Sequence, residues 1–432
     1  MNDFTSILPE LPELSEPPYD CNDGAVMYLS RGRNKIDFDE YIKKAVQMGF
    51  NIFDEAEYGG SFYTTLTKND LCLHIYYIPA ESTLRIIADP YTDLYNPKPE
   101  SCIEKCRTTL WQFEVDHTLI DCGMCYIIRC CDNSFFIVDS AHNYSVNDHE
   151  RIYKFLKERT PRHEKTVIAG WFLTHGHEDH VAKFTDFVKY KYGEDAVIEA
   201  VYYNFVSTYH RDSHYWMFSG KTIQRECENT IKSMPFKKIK LHSGQHFYIR
   251  NLEFRVLCTH EDVYPGSLEN FNDSSTMLIM KACGTVVQFP GDAGYLENDV
   301  CVKRFGKDEL ECNIIQVSHH GHMGLKEDFY ALANPKVLLF PVTQIMFDGD
   351  LDRYPVNTTI IKNCEEYYIA SNGTVEIDLP YEHGKTKKFD DETFESFEGV
   401  YNLWSYQYTE ERKEELRRLF VKNGGDLSKI RK

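Results

Sequence analysis

Within Thr174-His175-Gly176-His177-Glu178-Asp179-His180, His175, His177, Asp179 and His180 set four metal-ligand side chains in six positions at His-x-His-x-Asp-His spacing, directly behind the apolar run Val167–Leu173. An apolar run that stops at a His-x-His-x-Asp-His turn reads as a buried strand whose end can aim His175 and His177 at one cation. The next pair, Asp179 and His180, can face a second cation nearby. Imidazole nitrogen and carboxylate oxygen suit zinc, and also iron or manganese as the carboxylate share rises. Two divalent metal ions are therefore expected, zinc ahead of manganese or iron.

The elements that must position these groups are strands that end in ligand residues. Thr285–Phe289 runs into Pro290-Gly291-Asp292, and Asn313–Ser318 runs into His319-His320-Gly321-His322. Gly291 allows a close backbone approach, and a carboxylate can span two cations, which makes Asp292 the candidate bridge. The run Ser134–Ser140 carries Asp139 where its apolar residues stop.

At these residues the sequence resembles the metallo-β-lactamase superfamily of metal-dependent hydrolases, over roughly residues 120–380. The resemblance implies an α/β fold, a four-layer αβ/βα sandwich; periodicity alone would leave α/β or α+β. It implies that Asp139 supports the metal site from behind the ligands, and that Asp292 is the bridging fourth motif. A histidine of the fifth motif completes the second metal, with His319, immediately after the strand, favoured over His320. The third motif supplies one more histidine to the first metal, for which His260 is the candidate; its alternative is a surface histidine in a Thr-His-Glu-Asp turn. Asn272-Asp273-Ser274-Ser275 resembles the Asn-x-x-Ser element of the His-His-Gly branch, which includes the competence-type nuclease domain and the choline-phosphate esterase domain. It either orients ligands or substrate, or is an ordinary turn.

These ligands point to hydrolysis. Two cations sharing a water lower its pKa toward neutrality and stabilise the developing oxyanion. Asp179 is expected to bind the second metal and to accept a hydrogen bond that orients the nucleophile, with Asp139 as the other residue serving catalysis. The expected reaction is hydrolysis of a small anionic ester such as a phosphodiester, a preference that comes from the His-His-Gly resemblance. Carbonyl hydrolysis of a lactone, amide or thioester, nuclease activity and a non-catalytic metal- or ligand-binding role are the alternatives. Flavin-partnered di-iron relatives typically carry Glu where His177 stands, which sets that chemistry aside.

Composition narrows the partners. The 432-residue chain carries 67 acidic and 48 basic residues, a formal charge of −19. Nucleic-acid binders draw affinity from Lys and Arg on phosphates, so a small-molecule substrate is favoured over nucleic acid. No stretch reaches the ~18 apolar residues of a membrane helix, and the N-terminus lacks a basic segment followed by an apolar one. Neither export nor membrane insertion is expected. The 14 cysteines read as reduced core thiols in a cytoplasmic setting; a structural zinc site from Cys102, Cys106, Cys122 and Cys125 is the narrower alternative.

Three regions are expected: a small α+β unit over 1–100, the metal-binding sandwich over 101–382, and a charged, helical extension over 383–432. Residues 1–36 read as irregular. Asp37–Met48 reads as a helix with its apolar side at Phe38, Tyr41, Ile42 and Ala45, and Leu71–Ile78 and Leu84–Ala88 as strands. A last helix over Glu410–Val421 is expected to pack on the surface or on a second subunit. The aromatic run Tyr202–Trp216 suits a substrate cleft or a core.

Overall fold

The computed structural model describes residues 2–90, 93–117, 122–145, 147–193, 196–208, 218–268 and 271–389, with Glu414 and Arg418. The expected helix over Glu410–Val421 and most of the 383–432 extension lie outside them, as do residues 209–216 of the aromatic run.

The strand Thr166–Leu173 shows how the sandwich is built. Ile168, Trp171 and Leu173 enter one core and Ala169 and Phe172 another. Burying each of these side chains is worth roughly 1.5–3 kcal/mol for the larger ones. The alternation slips at Gly170, where the register shifts against Phe135–Val138. A Cβ there would lie 2.8 Å from Ile249 Cδ1 and 2.9 Å from Tyr202 Cε2, so glycine lets the opposing sheet come close.

This strand is central in a nine-stranded sheet, next to Phe135–Val138 and Ala200–Tyr203, and it runs parallel to both. Helices α2 (Asp148–Arg159), α3 (Glu178–Lys191) and α4 (Phe218–Ser233) lie along that sheet, and Ile152, Leu156, Phe184, Phe187, Cys227 and Ile231 fill the core beneath them. A seven-stranded sheet faces its other side through Phe247, Phe254, Leu278, Met280, Val287 and Phe289. The outer face of the second sheet is covered by the helices Tyr295–Arg304, Glu327–Ala333, Gln344–Arg353 and Pro355–Asn363. The layers run helix, sheet, sheet, helix, the four-layer αβ/βα sandwich expected from the sequence.

The N-terminal segment is more regular than its composition implies. Tyr19–Asp20 and Val26–Arg31 are strands of a six-stranded antiparallel sheet, and Val26–Ser30 is buried throughout. Helix α1, Lys35–Gln47, starts at Asn34, whose side chain accepts from the backbone of Ile36 and Asp37. It packs Phe38, Tyr41, Ile42 and Ala45 on one face of the sheet. The other face meets the sandwich through buried polar contacts. Arg304 donates to Glu81 and Asp262, each at 2.6 Å, and Tyr76 Oη donates to Asp262 at 3.0 Å.

Among the described residues, no helix is long and apolar enough to cross a membrane. The four cysteines considered for a zinc site do not gather. Cys102 Sγ lies 2.8 Å from Cys131 Sγ, Cys106 Sγ donates to Cys130 O, and Cys125 is part of the core under the helices.

Candidate metal centre

Each ligand segment follows the end of a strand. Phe135–Val138 delivers Asp139, Thr166–Leu173 delivers the His175–His180 loop, Thr285–Phe289 delivers Asp292, and Ile314–Gln316 delivers His319–Gly321. Asp139 takes a left-handed φ of 55°, costly for a non-glycine residue and therefore held by its contacts. Its carboxylate lies beneath the metal loop. Oδ1 accepts from Thr174 N at 2.8 Å, and Oδ2 accepts from Thr174 Oγ1 at 2.8 Å and from His180 Nδ1 at 2.7 Å. The bond to Nδ1 fixes the ring of His180 and leaves its Nε2 facing the cluster.

Two groups of ligand atoms result, each with all its atoms within 4.8 Å of one another. His175, His177 and Asp292 form the first; Asp179, His180, Asp292 and His320 form the second. Asp292 belongs to both. Its Oδ2 lies 3.8 Å from His175 Nε2, 3.2 Å from His180 Nε2 and 3.5 Å from His320 Nε2. Asp179 Oδ2 lies 3.0 Å from His320 Nε2, and His175 Nε2 lies 3.0 Å from His177 Nδ1. All are buried except His177, which is half-buried.

The loop that carries Asp292 is pinned from both sides. Gly291 N donates to Gln316 Oε1 at 2.8 Å, and Gln316 Nε2 donates back to Gly291 O at 2.9 Å. Asp292 N donates to Ser275 Oγ at 3.0 Å. Gly291 sits at φ 63°, where a Cβ would press on Thr174 at 2.9 Å.

The electrostatics are those of a site built for cations. Burial, then the neighbouring His180, push His175 well below the usual histidine range. Burial works against charge on Asp179 and Asp292 too, yet His180 and His320 hold both carboxyls well below their usual range. In return, and against its own burial, His320 is lifted to about 10, chiefly by Asp292 and Asp179, while His180 is raised well above its usual value. Asp292 Oδ1 and His180 Nε2 are buried with no hydrogen-bond partner. Imidazole and carboxylate donors with unused lone pairs fit zinc, iron or manganese, and cation binding would displace the imidazole protons.

The structure brings His175, His177, Asp179, His180 and Asp292 together, with Asp139 behind them. It separates the other two residues. His319 stands aside from both groups, with its Nε2 3.0 Å from Asn272 Nδ2, and His320 faces the carboxylates in its place. Consecutive left-handed residues, φ 48° at His319 and 57° at His320, break the alternation on which a preference for His319 depends. His260 is engaged elsewhere: Nδ1 is 3.0 Å from Tyr19 Oη and Nε2 is 3.1 Å from Asn204 Oδ1. It caps the join between the N-terminal sheet and the sandwich, and neither ligand group contains it.

Asn272 is hydrogen-bonded to the side chain of His177, and its Nδ2 lies close to His319. With Ser275 on the backbone of Asp292, the Asn-x-x-Ser element touches the segments that carry His177 and Asp292. Thr174 and Gln316 also serve the site; their signal was adjacency to ligand residues and a polar side chain at the end of a buried strand. His142 had no such signal. It is buried near Asp179 and pushed down to about 3 by that burial, and its Nδ1 accepts from Tyr144 N at 3.0 Å.

No family model matches the chain, and no curated protein matches it. Among solved structures it is similar to the metallo-β-lactamase-fold protein YhfI from Bacillus subtilis, at 12% identity and TM-score 0.36 over 60% of this chain and 96% of that one. It is also similar to a diphosphatase of the PhnP family, at 11% identity and TM-score 0.34 over 54% and 86% of the two chains. A third is CmlA, a diiron β-hydroxylase from Streptomyces venezuelae, at 12% identity and TM-score 0.38 over 66% and 55%.

Proposed function

We propose that the protein is a metal-dependent hydrolase that holds two divalent cations and acts on a small anionic ester, a phosphodiester in the first instance. The observation that carries this reading is the pair of buried ligand groups sharing Asp292. His175, His177 and Asp292 would hold the first cation; Asp179, His180, Asp292 and His320 would hold the second. Divalent cations there supply Lewis acidity, which acidifies a water and stabilises negative charge as it develops.

The chain's own residues do the rest. Asp139 orients His180 through the 2.7 Å contact to Nδ1. Asp179 would accept a hydrogen bond from a water in the site and so orient it. Ser275 and Gln316 keep the Asp292 loop from shifting, which matters because a displacement of about 0.5 Å degrades a catalytic constellation. The phosphodiester preference rests on the resemblance to the His-His-Gly branch, and the small-molecule preference on the acidic chain.

The test is metal content of the purified protein and of its His177→Ala and Asp292→Ala variants, with hydrolysis of bis-p-nitrophenyl phosphate assayed on each. The expected result is about two ions per chain, with metal and activity lost together in the variants. Two ions without phosphodiesterase activity would move the substrate to the carbonyl class. No bound metal would overturn the reading.

A further inference from the structure

The metal loop has no room for a side chain between its first two histidines. A Cβ on Gly176 would lie 2.8 Å from Gln224 Cδ, with Gln224 Oε1 closer still. The amide of Gln224, on α4, is therefore the surface on which the loop rests. Gln224 is fully buried. Its Nε2 donates to Val206 O and to Glu228 Oε1, both at 2.8 Å. A flipped amide would set its oxygen against two acceptors, so its orientation is fixed and Oε1 faces Gly176. That oxygen has no hydrogen-bond partner, so it acts on the loop by contact alone.

The same Glu228 oxygen accepts from Asn22 Nδ2 at 2.8 Å. Asn22 belongs to the turn between the first two strands of the N-terminal sheet, and that turn is clamped to the sandwich. Lys240 Nζ donates to Cys21 O at 2.6 Å and to Asn22 O at 3.0 Å, and Asp23 pairs with Lys232 at 2.6 Å. A continuous line of contacts thus runs from the N-terminal sheet to the backbone between His175 and His177.

We propose that Gln224 is a positioning residue for the first cation site, and that the N-terminal sheet sets that site through Asn22, Glu228 and Gln224. This rests on the metal reading above. His175 and His177 sit two residues apart and converge only if the backbone at Gly176 is held. Gln224 holds it from below, and Glu228 fixes Gln224. Asp292 is shared, but in the second site His180 has its own support in Asp139, so the effect falls on the cation held by His175 and His177.

The test measures zinc stoichiometry and affinity by chelator competition, with cobalt absorption spectra, on the wild-type chain and on Gln224→Ala, Glu228→Ala, Gly176→Ala and Gly176→Ala/Gln224→Ala. In Gln224→Ala and Glu228→Ala one zinc should weaken about 10- to 100-fold, as for other partners that orient ligands, while the other keeps its affinity. Gly176→Ala should weaken the same zinc further. The double variant should recover part of that loss, because the methyl then occupies the space the amide vacates. Unchanged affinity for both zinc ions in Gln224→Ala, or no recovery in the double variant, would overturn the relay while leaving the two-metal reading intact. A wild-type chain that binds no zinc would overturn both.

Discussion

Replacing Asp139 with asparagine changes one atom of the site and should disable one cation. Asp139 presents acceptors to three donors: Oδ1 to Thr174 N, and Oδ2 to Thr174 Oγ1 and His180 Nδ1. An asparagine offers one acceptor and one NH2. If the NH2 takes the Oδ1 place, it meets the fixed N–H of Thr174. If it takes the Oδ2 place, it meets His180 Nδ1–H, and His180 must move its proton to Nε2, the nitrogen that faces Asp179 and Asp292 at 3.5 and 3.2 Å. A protonated Nε2 cannot ligate. Losing a residue that orients a ligand in this way costs about 10- to 100-fold in metal affinity, or about 1.4–2.7 kcal/mol. Chelator competition on Asp139→Asn should show the second zinc weakened by that factor and the first nearly unchanged, in a protein whose circular dichroism matches the wild type. Two zinc ions bound at wild-type affinity would refute the orienting role of Asp139.

Three further outcomes follow from the geometry. His320→Ala should remove one of the two bound ions while His319→Ala keeps both, as read by metal analysis; the opposite pattern would mean the left-handed turn is inverted. Arg304→Met should leave Asp262 buried without its cation, while half-buried Glu81 keeps Arg85 at 2.9 Å, a loss of about 3–5 kcal/mol for a broken buried pair, measured as a lowered urea midpoint; a change under ~1 kcal/mol would contradict that pairing. His242 is squeezed between Glu261, at 2.9 Å from Nδ1, and Asp89, at 3.3 Å from Nε2. Against its burial, Glu261 and Asp89 lift it to about 9. A histidine raised in the folded state stabilises fully below its unfolded value near 6.5 and loses that contribution as pH rises through about 9. Stability of the wild type should therefore fall more between pH 6.5 and 9.5 than that of His242→Gln, and parallel curves would refute this.

The His175–His180 loop was legible as a candidate metal site because its ligand-type side chains are contiguous and follow an apolar strand. The sandwich strands were legible for the same reason: their apolar runs are long and end in Gly, Asp or His. What stayed hidden depended on backbone sign or on distant chain. Nothing local to Ser318-His319-His320 announces two left-handed residues in a row, and an extended reading turns His319 inward where the structure turns His320. His260 looked available because nothing near it shows that Tyr19, far away in sequence, occupies one ring nitrogen. The hairpin Asn51–Tyr58 and Ser61–Lys68 is hard to read from sequence, although Gly59-Gly60, at φ 56° and 69°, is the dipeptide such a turn favours. Asp54, Glu55 and Glu57 gave its first strand too little apolar content to stand out. Val26–Arg31 was obscured by the Pro- and Asp-rich sequence around it.

The most direct measurement of the central claim is anomalous diffraction from crystals of the zinc-loaded protein, recorded on both sides of the zinc edge. The account predicts two peaks per chain flanking Asp292, one against His175 and His177, the other against Asp179, His180 and His320. A single peak, or zinc held by His260 or His319, would contradict it.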